Sequence, residues 1–271
     1  MADADLGSRI EGIRQLGSVV RAMTGIAGAR ARTARAQIAA VDSFADTLKG
    51  AWRQAMSDRP DIAFEPATRP ARIVFCAEQG FVGAFSERVL DEVEGDLVGA
   101  DVFLIGSRGV GVAAARGITP VWSAAMPSRS ASLPKFADRV MGAVFADGAG
   151  RSVEAVYPVW QHGQVLVTRL ALFPLEAPED AALLPPPPLT NLPLADLAVS
   201  LGLDLIHADL THAALHAFVA ENEARVAAMS AASREIEEEL GILEALVRRI
   251  RQEVITAEII EISAGAMMGA G

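Results

Sequence analysis

Along the N-terminal stretch, apolar side chains return every seven residues, at Ile13, Val20, Ala27, Ala34, Val41 and Leu48. A second row at Ile10, Met23, Ile38 and Ala45 falls between them. This is helical rather than strand periodicity, and no Pro interrupts it from about Leu6 to Trp52. The pattern predicts one helix of roughly 70 Å at 1.5 Å per residue. That is about three times an ordinary globular helix, so it needs a lateral partner. Gly7, Gly12, Gly17, Gly25 and Gly28 each weaken the helix by about 1 kcal/mol relative to Ala. Their density points to close approach by a partner.

The last segment, about Leu205 to Ala266, also lacks Pro. Its seam is Met229, Ser233, Ile236, Leu240, Leu243, Val247, Ile250, Val254 and Ala257, alternating four and three. That is a coiled-coil pattern over about four heptads. Past Val254 the apolar set moves to Ile255, Ile259, Ile262 and Ala266, which predicts a change of partner or of crossing geometry. Charge pairs the two end helices. Arg9 to Arg35 holds six Arg and one acid (+5), whereas Glu221 to Ile262 holds ten acids and five Arg (−5). Opposite fields along two helices favour their association.

The middle alternates differently. Ala71 to Cys76 and Asp101 to Ile105 read as buried strands, each followed by a Gly-containing turn and a helix, at Phe85 to Glu94 and Val110 to Arg116. A further helix is expected from Lys135 to Ala146. Ser152 to Val159 and Gln164 to Phe173, split by Gln161-His-Gly163, read as a β hairpin. Pro178 to Pro193 is Pro-rich and extended. The expected fold class is α/β with a long antiparallel coiled coil: the end helices pair, and a small Rossmann-like domain is inserted between them. The expected segments are 1–53 (coiled-coil helix), 54–177 (α/β domain), 178–204 (Pro-rich linker and helix start) and 205–271 (coiled-coil helix).

Composition narrows the function. The net charge of −10 argues against a nucleic-acid or anionic-membrane binder. A single Cys, Cys76, excludes an internal disulfide and a zinc ribbon and fits a reducing compartment. The acidic Met1-Ala-Asp-Ala-Asp start differs from a signal peptide, and no uncharged run approaches 18 apolar residues. The expectation is a soluble intracellular chain with no membrane insertion.

Candidate chemistry is sparse. Ile105-Gly-Ser-Arg-Gly-Val-Gly111 follows a strand where a phosphate loop would sit, but it is neither G-x-G-x-x-G nor a Walker loop, and reads as a tight turn, as does Gly80-Phe-Val-Gly83. His212 and His216 share a helix face, with Asp209 one turn earlier, and no third strong ligand stands out in sequence. Satisfied or solvent-facing histidines are the plainer reading. Cys76 reads as an inert core thiol, and Glu235 to Glu239 as a solvated face. No catalytic residue, metal site or cofactor is expected.

At the residue level the chain resembles the γ subunit of F-type rotary ATP synthases. Arg9-Ile10, Arg21-Ala-Met23 and Ala27-Gly-Ala-Arg30 are similar to its Lys-Ala-Met…Val-Ala-Ala-x-Lys pattern. Gln79 to Phe85 resembles Arg-Gly-Leu-Cys-Gly-Gly-Phe, and Ile105 to Gly109 its Gly-x-Lys-Gly turn. Glu221-Asn-Glu-Ala-Arg225 with Ala228-Met229 is similar to Glu-His-x-Ala-Arg-x-x-Ala-Met. Arg251-Gln252, Ile255-Thr256, Glu258, Glu261-Ile262 and Gly265-Ala266 match Arg-Gln-x-x-Ile-Thr-x-Glu-x-x-Glu-Ile-x-x-Gly-Ala. Departures at Glu78-Gln79, Ser86 and Val247-Arg248 mark a divergent member.

The resemblance implies a non-catalytic central-stalk rotor. Its expected partners are the α and β subunits of the catalytic hexamer, the ε subunit and the membrane c-ring, and its place the cytoplasmic face of the plasma membrane. It also implies polar contacts to β through Arg225, Gln252, Thr256 and Glu258, with Arg21 and Met23 facing the acidic β levers. The uncharged Ile262 to Gly271 would turn inside an apolar sleeve. A homodimeric coiled-coil scaffold, or a nucleotide-binding enzyme using Ser107 to Gly111, remains an alternative.

Overall fold

A computed structural model of the chain describes residues 2–56, 69–146, 150–175 and 190–268. The long end helices are α1 (Ala2–Met56) and α5 (Leu194–Met268). Between them run β1 (Arg69–Phe75), α2 (Phe85–Val93), β2 (Asp101–Ile105), α3 (Ser107–Ala115), β3 (Trp122–Ala124), α4 (Leu133–Val144), β4 (Arg151–Gln161) and β5 (Gln164–Phe173). Two compact units result, one from Met1–Ile26 with Ala228–Gly271, the other from Ala27–Ala227.

In the first unit the two helices cover one another's apolar stripes. Ile10, Gly17 and Val20 are buried on α1, and Met229 and Leu243 on α5. The expected seam on α5 is buried or half-buried from Met229 to Ile250. Close approach is confined to Gly17, where an added Cβ would lie 3.1 Å from Ile236 Cγ2. Gly7, Gly12 and Gly25 face open space, so the crowding expected at every N-terminal Gly is absent there. The complementary charges meet across the pair: Arg9 bonds Glu239 at 2.9 Å and Arg14 bonds Glu244 at 2.7 Å. Both pairs are exposed, so each adds at most about 1 kcal/mol and chiefly sets alignment.

The second unit is built on a sheet of order β3-β2-β1-β4-β5. β1 to β4 are parallel and β5 is antiparallel to β4. The α/β expectation therefore holds, with the hairpin forming one edge. Alternation along β1 divides two cores. Ile73 and Phe75 join Leu133, Phe136 and Val140 of α4 and Leu210 and Ala213 of α5. Val74 and Cys76 join Val89, Leu90 and Val93 of α2 and Ala113 of α3.

Two elements differ from expectation. The edge strand β3 is absent from the sequence reading, since three residues are too few to show a period. α5 begins at Leu194, ahead of the stretch read from about Leu205 and inside the 178–204 segment where the helix start is expected, because Ala198, Leu201 and Leu205 pack on Trp52 and Met56 of α1. From Leu205 to Arg225 it is buried or half-buried on every face, which explains why no seam is readable there.

Gly109 is where α3 meets β1. An added Cβ would stand 2.1 Å from Cys76 Cβ, whereas at Gly111, in the same helix, nothing lies within 4 Å. Gly109→Ala is therefore expected to lower stability by about 1–3 kcal/mol or more, and Gly111→Ala to leave it unchanged or raise it by up to about 1 kcal/mol, both read by denaturant unfolding.

Burial pushes the Cys76 thiol from 9.0 up to about 12, and desolvation likewise raises the Tyr157 phenol from 10.0 to about 12. The folded state holds both groups neutral, while the unfolded chain ionises them at their ordinary values. Their stabilisation is complete below pH 9 and is lost between pH 9 and pH 12. The denaturation midpoint should be flat near neutral pH and fall on titration through that window.

Candidate subunit-contact surface

The loop after β1 carries two residues in the left-handed region. It leaves the sheet where strand order reverses, the place α/β folds reserve for ligands. Phe81 (φ 61°) and Gly83 (φ 62°) both adopt left-handed conformations. Two α5 side chains hold it. Glu221 accepts from Glu78 N at 3.0 Å and Gln79 N at 3.1 Å. Arg225 donates to Gln79 O at 3.2 Å and Gly80 O at 3.1 Å, and pairs with Glu221 at 2.5 Å. The outcome is an exposed Phe81 on a loop with fixed ends.

This arrangement corrects the expected role of Arg225. Its side chain is only 4% exposed and its donors are spent inside the chain. It is a positioning residue for the loop, not a surface contact. Sequence reasoning missed Glu221 as its partner, although the two stand four apart amid Phe218, Val219, Ala220 and Ala224. A charged pair in such an apolar run is a readable sign of enclosure.

The neighbouring turn is filled from within. The backbone N–H and hydroxyl of Ser107 donate to the Glu78 carboxylate at 3.0 and 2.8 Å, and Met126 N donates to it at 2.9 Å. Arg108 N and Gly109 N donate to Ala77 O at 3.0 and 3.2 Å. The donors that would cradle a phosphate at the start of α3 are already taken, Ser107 by the Glu78 carboxylate and Arg108 and Gly109 by a backbone carbonyl. The nucleotide-binding alternative loses its site.

The remaining expected contacts lie in the helical unit. Arg21 is exposed on α1, and among the described residues it has no ion-pair partner; Met23 is half-buried. Gln252, Thr256 and Glu258 are exposed on α5, and the Thr256 hydroxyl donates to Gln252 O at 2.8 Å. At about 100° per residue Gln252 and Thr256 share a face, while Glu258 lies on the far side. The seam residues Val254 and Ala257 are exposed like the rest of 251–262, because the pairing with α1 stops near Ile250. Ile255 is 55% exposed, Ile259 58%, Ile260 63% and Ile262 72%. Side chains beyond Ile262, which include most of the expected sleeve-facing tip, lie outside the described residues. No helix among the described residues is long and apolar enough to cross a membrane.

Solved structures share this fold. A chain of the Euglena gracilis mitochondrial ATP synthase rotor, in rotational state 1, superposes with a TM-score of 0.64 at 12% identity, covering 94% of this chain and 99% of that one. A chain from the same organism's ATP synthase in rotational state 3 gives 0.68 at 14% identity, covering 99% and 94%. Among curated relatives, the ATP synthase gamma chain of Kineococcus radiotolerans is 29% identical, covering 95% of this chain and 93% of that protein. That of Frankia casuarinae is 26% identical, covering 95% and 94%. The family model described as ATP synthase matches residues 3–267, nearly the whole length. On that match, the chain belongs to the ATP synthase family.

Proposed function

We propose that the chain is the central-stalk γ subunit of an F-type ATP synthase, turning inside the αβ hexamer with the ε subunit and the membrane c-ring as its other partners. It has no catalytic site of its own and serves a proton-translocating complex as a peripheral subunit on the cytoplasmic face of the plasma membrane. The observation that carries this reading is the end of α5, which leaves its partner helix and presents isoleucines on several faces. An isolated helix so exposed to water is disfavoured unless an apolar surface surrounds it. Its polar residues, Gln252, Thr256 and Glu258, are placed to make contacts that form and break around that apolar shaft, with Arg21 and Met23 meeting acidic levers further along. Rotation then acts by population shift: an asymmetric shaft stabilises different conformations of the surrounding subunits at different angles.

The direct test is capture of the tagged chain from its native membranes with its bound proteins identified by mass. Recovery of α, β and ε subunits supports the rotor reading, whereas recovery of the chain alone as a stable dimer would replace it with the scaffold. Within the complex, Gln252→Ala with Thr256→Ala should lower coupled ATP hydrolysis roughly two- to tenfold, the worth of one or two hydrogen bonds, while the free chain's melting stays unchanged. Ile259→Asp should prevent assembly at equally little cost to the free chain. Arg225→Ala should do the reverse, destabilising the free chain by about 3–5 kcal/mol because Glu221 is left buried without its cation.

A further inference from the structure

The packing of α1 against α5 in the α/β unit brings together a set of metal-ligating side chains that neither helix holds alone. His212 and His216 stand one turn apart on α5, with ring centroids 4.4 Å apart. The third group is Asp42 of α1, whose Oδ1 lies 2.6 Å from His212 Nδ1. One ligand atom from each of the three lies within 4.8 Å of the others. Asp209, the carboxylate closest in sequence, is engaged elsewhere, paired with Lys49 at 3.2 Å.

We propose that Asp42, His212 and His216 form a binding site for a divalent transition-metal ion of zinc type, which clips α1 to α5. Two imidazoles and one carboxylate are the donor set of three-ligand zinc sites, and two histidines four apart on a helix are a natural chelating pair. Such a set selects zinc-like cations over magnesium or calcium, which prefer all-oxygen shells. The fourth position is left to water.

The surroundings suit the role. Tyr157 of β4 places its hydroxyl 3.3 Å from His212 Nε2, so when Nε2 carries the proton and donates it to that oxygen, Nδ1 offers its lone pair. The phenol is placed as an outer partner of His212, bonded to the ring nitrogen that faces away from Asp42. His212 is 24% and Asp42 42% exposed, so an ion has a way in. In a tetrahedral site with bonds of about 2.0–2.1 Å, ligand atoms stand about 3.3 Å apart. The Asp42–His212 pair therefore opens by less than an ångström as the ion enters, and the widest of the three separations closes by up to about 1.5 Å, movements that half-buried side chains can make.

The test uses the full chain, stripped with chelator and then dialysed against buffered zinc. The expected result is one zinc per chain by elemental analysis, with a melting temperature that rises with zinc and not with magnesium. Cobalt in place of zinc should give the intense visible absorption of a low-coordinate imidazole site. His216→Gln and Asp42→Asn should each weaken zinc binding at least tenfold, whereas His162→Gln and His207→Gln, at the two remaining histidines, should leave it intact. Absence of stoichiometric zinc, or binding that His162→Gln or His207→Gln abolishes and Asp42→Asn does not, would overturn the proposal. If the α5 variants fail to fold, the unmodified chain still decides: a weak, octahedral cobalt spectrum counts against the site.

Discussion

Neither terminal helix can keep its apolar stripe from water alone, and the architecture follows from that constraint. Where α1 and α5 lie side by side, Ile10 and Val20 meet the stripe of Met229 to Ile250, and Gly17 admits Ile236. In the α/β unit the same pairing is thickened by a sheet, and α5 is enclosed from Leu205 to Arg225. Beyond Ile250 the partner is gone and isoleucines face outward. One helix thus passes through three environments, and its composition follows: Ala-rich where enclosed, heptad-patterned where paired, Ile-rich where bare.

Much of this was legible. The heptad rows, the opposed charge of the two ends, β2 and the β5 half of the hairpin all stand in the sequence, because period and turn chemistry are local signals. The C-terminal motif carried the family resemblance. The rest depends on tertiary neighbours. Arg225 matches a motif position, yet whether a guanidinium faces a partner or a buried carboxylate is decided by what lies across from it, here Glu221 and the loop carbonyls. Asp42 has no sequence mark at all: it joins His212 only because the register of α1 on α5 sets it there. The first turns of α5 carry no readable seam, because Ala198, Leu201 and Leu205 are apolar through their contact with Trp52 and Met56 of α1.

The polar interior is economical. Glu221 serves two backbone N–H groups and one guanidinium, and Glu78 serves the start of α3 and Met126. Each carboxylate ties together segments distant in sequence, so the turns after β1 and β2 are held as one block. Buried ion pairs of this kind contribute little net stability over an apolar filling, but they tolerate few alternative arrangements. The exposed Phe81 is the side chain that this rigidity presents to the outside.

The occupied turn at Ser107 has a consequence for what the α/β unit can bind. The α/β unit has the topology from which nucleotide carriers are commonly built, and it sits in a family defined by ATP chemistry. With the Glu78 carboxylate already seated on the α3 donors, an incoming phosphate would meet both repulsion and a filled cradle. The start of α3 is thereby committed to an internal contact: where a nucleotide carrier of this topology would hold a phosphate, this unit fastens its own β1 loop to the helix.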